Sequence, residues 1–170
     1  ILPKPNVQSN VDRQAFVDDL EQALCAAVMI SYAQGLHLIT APKPKGDGWV
    51  AKPELVGRTW QAGCVIRAEF LEKIITVYDN EPELPNLLMA KELTDDWSEW
   101  MPGLRGTLCF AIQYGVPVPA LSSAVAYYDG FGNSRLWSSL IQARRDYFGS
   151  HTYERTDRPG IFHTDWLKSD

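Results

Sequence analysis

Residues 24–39 read LCAAVMISYAQGLHLI, a stretch with no Asp, Glu, Lys or Arg and no proline. It reads as the second half of a helix. Such a helix is apolar nearly all round and must be covered on most of its faces. The stretch before it is amphipathic. Phe16, Leu20, Ala23, Leu24 and Ala27 recur at spacings of three and four, while Asp18, Asp19 and Glu21 take the wet side. Ser9 or Asn10 offers a cap near Val11, and Pro42 stops the run. The pattern predicts one long central helix over about 11–41, with His37 in the core. The rest of the chain has to supply its neighbours.

It does so with shorter helices. The segment 42–53 is a loop, punctuated by Pro42, Pro44, Gly46, Gly48 and Pro53. Helices are predicted over about 54–63 and 67–79, the second with Leu71, Ile74, Ile75 and Tyr78 as its apolar stripe. A short helical turn fits 86–90. Thr94 can cap a further helix with Trp97, Trp100, Leu104, Leu108 and Ile112 facing inward, kinked or interrupted at Pro102-Gly103. Pro117 and Pro119 suit a helix start. The following ALSSAVAYYDG reads as a helix closed by Gly130. Ser134 can cap a last helix to about Tyr147, ended by Gly149. No convincing strand alternation appears. The predicted class is all-α: a long central helix surrounded by shorter helices over 1–149, with an extended C-terminal arm over 150–170. The arm carries Tyr153, Phe162 and Trp166, rings that need a surface to pack on.

Composition narrows the function. A formal net charge of −5 over 170 residues argues against a general nucleic-acid binder. No apolar run approaches the roughly 20 residues that span a bilayer, so no membrane partner is expected. The start, ILPKPNVQSN, lacks the charged and apolar regions of a signal peptide. Cys25, Cys64 and Cys109 are odd in number, far apart and in apolar surroundings, which predicts buried reduced thiols and a cytoplasmic setting. There is no GxGxxG, GxxxxGK[ST] or HExxH, and Ser122 and Ser123 sit in no nucleophile elbow. His151, His163 and Asp165 match no common ligand spacing, so no metal is expected. By motif alone the chain is not a complete enzyme.

The cations remain. Arg67, in GCVIRAEF, is either paired structurally or aimed at an anion. Arg144 and Arg145 fall near the end of the last helix, where the helix dipole accounts for one of them. His151 follows Arg145 across the Gly149 break, so the two tips can converge on one anion, guanidinium matching phosphate geometry and imidazole adding a directed bond.

At these residues a resemblance emerges. SLIQARRDYFGSHTYERTDRPGIFHTDW closely resembles the C-terminal signature of the 6-phosphogluconate dehydrogenase family, whose members carry a run like LIQAQRDYFGAHTYER, a proline-glycine turn and FHTNW. ISYAQGL, TWQAGCVIRAEFLEKI and YGVPVPALSSAVAYYDGF are similar to further family stretches in the same order, so the resemblance covers the chain from about Phe16 onward. It implies an enzyme that oxidises 6-phosphogluconate with NADP, releases carbon dioxide and forms ribulose 5-phosphate. It implies a homodimer in which each C-terminal tail threads into the other subunit. Carried over by position, it makes Arg67, Arg145 and His151 substrate contacts, the last two reaching the neighbour's site. It also implies that the nucleotide-binding domain and the segment with the catalytic lysine and glutamate lie outside this chain. The expected entity is therefore the C-terminal part of the enzyme, without catalytic residues and inactive alone, with NADP bound mainly elsewhere. QAGC in place of the family's [RK]GGC, and Gly132-Asn133-Ser134 after DGF, depart from the pattern but touch none of the three contacts. The alternative is a non-catalytic helical dimerisation or anion-binding module of the same ancestry.

Overall fold

The computed structural model describes residues 5, 11–41, 51–64 and 69–168. Six α-helices run in order: α1 Arg13–Thr40, α2 Pro53–Gln61, α3 Phe70–Asn80, α4 Thr94–Gln113, α5 Pro119–Gly132 and α6 Ser138–Gly149. Two 3-10 turns, Leu87–Met89 and Lys91–Leu93, lead into α4. The all-α reading holds, with one addition. The arm forms a small antiparallel pair, β1 Tyr153–Glu154 and β2 Ile161–Phe162, in the register Tyr153 to Phe162 and Glu154 to Ile161. Two-residue strands are too short to leave an alternating signature. The chain divides into two compact units, Ile1–Asp129 and Gly130–Asp170, so α6 belongs with the arm rather than with the helices before it.

In the first unit α4 lies along α1, α2 packs on α3, and the 3-10 turn at Leu87–Met89 reaches α1. The core is made of Ala23, Ala26, Met29, Ile30, Ala33 and Leu36 of α1, Leu71, Ile74 and Val77 of α3, Leu87 and Leu93 from the turns, and Leu104 of α4. A Cβ at Gly103 would stand 2.8 Å from the Asp19 carbonyl and 2.6 Å from the Gln22 side chain, so only glycine permits this α1–α4 approach. Buried Asn86 donates to the Tyr127 hydroxyl (2.9 Å) and accepts from the Leu88 amide (2.9 Å), tying the turn to α5.

The cap of α1 is Asp12, whose carboxylate accepts from the amides of Gln14 and Ala15, and the expected caps Ser9 and Asn10 lie outside the described residues. Thr94 is the first residue of α4 and makes no side-chain cap, and Pro102 does not interrupt that helix. The last helix starts at Ser138, not at Ser134. α1 is covered on one face only: Leu24 is 54% exposed, and His37 is exposed with its Nδ1 bonded to the Pro85 carbonyl at 3.2 Å. On α4 the inward stripe is Trp97, Met101, Leu104, Thr107 and Ala111, which leaves Ile112 outside. None of the three free cysteines is fully buried, and Cys109 is exposed, because it falls on the solvent side of that stripe. α1 is also long and apolar enough to cross a membrane, with a mean hydropathy of 1.5 in its best window. Its buried face against α4 makes it a core helix here.

Candidate functional site

The second unit assembles around one acidic side chain. Asp146, in the third turn of α6, is fully buried and accepts four hydrogen bonds. Oδ1 takes the Thr152 amide (2.9 Å) and Nδ1 of His163 (2.9 Å). Oδ2 takes the Thr164 amide (3.0 Å) and the Trp166 indole N–H (2.9 Å). A carboxylate only accepts, so Nδ1 of His163 carries the proton. Burial pushes the Asp146 carboxyl upward, but the His163, Thr164, Trp166 and Thr152 donors outweigh it and hold the group well below the usual carboxylate range. This one residue ties the end of α6, the turn after it and the segment after β2 together. Gln142, one turn earlier on the same face, adds a bond from Nε2 to the Thr152 carbonyl (2.5 Å).

The turn that follows α6 is left-handed twice. Ser150 has φ 50° and closes the helix with its amide on the Asp146 carbonyl (2.8 Å); Thr152 has φ 61°. Such positions cost a β-branched residue most, of order 1–3 kcal/mol. At Thr152 the amide to Asp146 and the carbonyl to Gln142 offset that cost. His151 lies between the two left-handed residues, so its direction is set by a backbone fixed on both sides.

Beside this node, Arg144, Arg145, Phe148 and Gly149 line a shallow pocket of about 210 Å³ with His151. Arg145 gives one N–H to Gln142 Oε1 (3.1 Å), a neutral acceptor that leaves most of its guanidinium available. Arg144 and His151 make no side-chain hydrogen bond among the described residues. Both arginines precede the last turn of the helix, so its dipole does not explain them. Two other cations of the unit are engaged elsewhere. Arg155 forms a two-point pair with Asp157 (2.7 and 2.6 Å), and the guanidinium of Arg158 lies 4.7 Å from the Phe162 ring centre. The pocket thus brings together two guanidiniums, neither in an ion pair among the described residues, and an imidazole, an arrangement suited to an anion.

The structure brings two of the three expected contact residues together: Arg145 and His151 share this pocket, joined by Arg144. Arg67 lies outside the described residues. His163, weighed with His151 and Asp165 as a metal set, is committed to Asp146 instead. Asp146 carries no sequence signal of this role. It follows two arginines in RRDY and looks like an ordinary solvated acid.

Comparison with known proteins decides the family. The sequence model of "6-phosphogluconate dehydrogenase, C-terminal domain" matches residues 1–166. This chain belongs to that family. Among 6-phosphogluconate dehydrogenases, it is 46% identical over 158 residues to the decarboxylating enzyme 1 of Spinacia oleracea, covering 93% of this chain and 32% of that protein. It is 41% identical over 170 residues to the decarboxylating enzyme of Escherichia coli K12, covering 98% of this chain and 36% of that protein. The solved Plasmodium falciparum 6-phosphogluconate dehydrogenase superposes with a TM-score of 0.86 at 40% identity, over 95% of this chain and 34% of that one. That protein was determined in its apo form, with its cofactor NADP+ and with its substrate 6-phosphogluconate. The chain spans about a third of the length of these relatives.

Proposed function

We propose that this chain is the part of a decarboxylating 6-phosphogluconate dehydrogenase that holds the phosphate end of the substrate and supplies dimer contacts. The whole protein would oxidise 6-phosphogluconate with NADP, release carbon dioxide and form ribulose 5-phosphate. The observation that carries this reading is the convergence of Arg145 and His151 on one pocket, in a chain of this family. A phosphate dianion there meets a planar guanidinium able to give two parallel bonds, an imidazole N–H and the charge of Arg144. Binding energy at that remote end also positions the reacting carbon, so it bears on rate as well as affinity. Arg67 joins the site on the strength of the family resemblance.

NADP is placed mainly outside this chain, as the family resemblance implies. The only strands among the described residues are one two-residue antiparallel pair, which offers no crevice at the ends of parallel strands for a dinucleotide. The chemical steps are assigned with the cofactor to other parts of the protein, and the chain alone is expected to reduce no NADP.

Exchange of the arm between subunits is supported by what the second unit leaves uncovered. Trp137, Leu140 and Phe148 are each 76% exposed, with Ile161 and Leu167 exposed as well. A partner subunit would cover them. The three free thiols accord with a cytoplasmic protein.

The test is NADPH formation from 6-phosphogluconate by the full-length protein that contains this segment, beside its His151→Ala variant. Activity in the parent, with KM raised about tenfold in the variant, is the expected result. An active parent whose variant keeps its KM would remove His151 from the site.

A further inference from the structure

His151 occupies its place because Gly149 has no side chain. A Cβ at position 149 would stand 2.8 Å from both Cδ2 and Nε2 of His151, and its three nearest neighbours would all be atoms of that ring. No carbon tolerates such a separation, so the ring folds back over the end of α6, in the space a methyl group would fill. Position 149 is the last residue of the helix and has an ordinary right-handed backbone, so glycine is not needed there for its conformational freedom. What it provides is room. The ring is aimed at that room by the backbone around it: Ser150 and Thr152, both left-handed, flank His151, and the second is anchored on buried Asp146.

We propose that Gly149 is a positioning residue of the phosphate pocket. By lacking a side chain it lets the His151 imidazole lie over the helix end beside Arg145, while the Asp146 carboxylate holds the turn that delivers the ring. This rests on the phosphate reading of the Arg145–His151 pocket. Gly149 touches no ligand and acts through His151 alone. It makes position 149 a determinant of how well the site recognises a phosphorylated over an unphosphorylated sugar acid.

The experiment is a double-mutant cycle in the full-length protein, with KM and kcat measured for 6-phosphogluconate and thermal stability followed in parallel. Gly149→Ala is expected to raise KM several-fold, up to the level of His151→Ala, with Tm unchanged or slightly higher because alanine is the better helix former. Gly149→Ala combined with His151→Ala is expected to be no worse than His151→Ala alone, because the added methyl then meets no ring. That double variant also keeps the test open if Gly149→Ala by itself lowers stability. A His151→Ala effect with no Gly149→Ala effect would overturn the positioning role and leave the phosphate pocket standing. Additive effects would likewise overturn it, since Gly149 would then act independently of the ring. Absence of any His151→Ala effect would overturn the pocket and this inference with it.

Discussion

The two units of the chain are built on opposite principles. The first encloses side chains such as Ile30, Leu36, Leu71, Ile74 and Leu104, all fully buried, and its order comes from apolar surface removed from water. The second buries only one residue of α6, and that residue is an aspartate. Its order comes from four directed hydrogen bonds to that aspartate, while its large apolar side chains face outward. Charge follows the same division. Residues 1–129 hold ten Lys and Arg against sixteen Asp and Glu, whereas residues 130–170 hold six against five. An apolar core tolerates exchange of similar volumes. A polar node fixes directions, and direction is what a site for a phosphate needs. The lesson is that the small second unit is shaped to present groups, and the first to stay folded.

The comparison can be broken from either side. The largest effect is expected from Leu104→Ala, which removes a fully buried side chain between α4 and α1 and should cost about 2–5 kcal/mol in denaturant unfolding. Asp146→Ala comes next and is local. It strands the Thr152 and Thr164 amides, and limited proteolysis should cut the arm about tenfold faster while the first unit keeps its protection. Equal loss of protection in both units would contradict their separate construction.

A pH series sharpens the contrast. The folded Asp146 carboxyl lies below its ordinary range, so the order it gives the arm is fully present above about pH 4 and is lost as pH falls further. Tyr78 in the first unit behaves oppositely. Burial first, then Tyr127, pushes its hydroxyl up to about 12, against a small lowering by the Leu87 backbone. Its contribution is present below about pH 10 and is lost as pH rises through 12. Arm protection measured by hydrogen exchange should fail first in acid, and the helical core should open first in alkali. The smallest effect is expected from Arg105→Gln. The Arg105–Asp129 pair is two-pointed but about half exposed on both sides, so its loss should cost less than about 1 kcal/mol in thermal unfolding.

The same division explains what was legible in the sequence. Helical periodicity located the α3 stripe of Leu71, Ile74, Ile75 and Tyr78 correctly, because a helix with one apolar face has one way to turn. It misjudged Leu24, His37 and Ile112, which lie on apolar or mixed helices where the neighbour, not the pattern, decides which face is covered. In the second unit, Arg145 and His151 could be joined because only a helix end and a turn separate them. Asp146 could not be recognised, because its donors stand 6, 17, 18 and 20 residues away and are delivered by a hairpin too short to announce itself.

The most direct test of the account is the KM for 6-phosphogluconate of the full-length protein carrying Arg145→Ala. Loss of a charge-assisted contact to phosphate should raise it about 30-fold, with thermal stability unchanged because Arg145 is exposed. An unchanged KM would mean that the pocket at the end of α6 does not hold the substrate's phosphate.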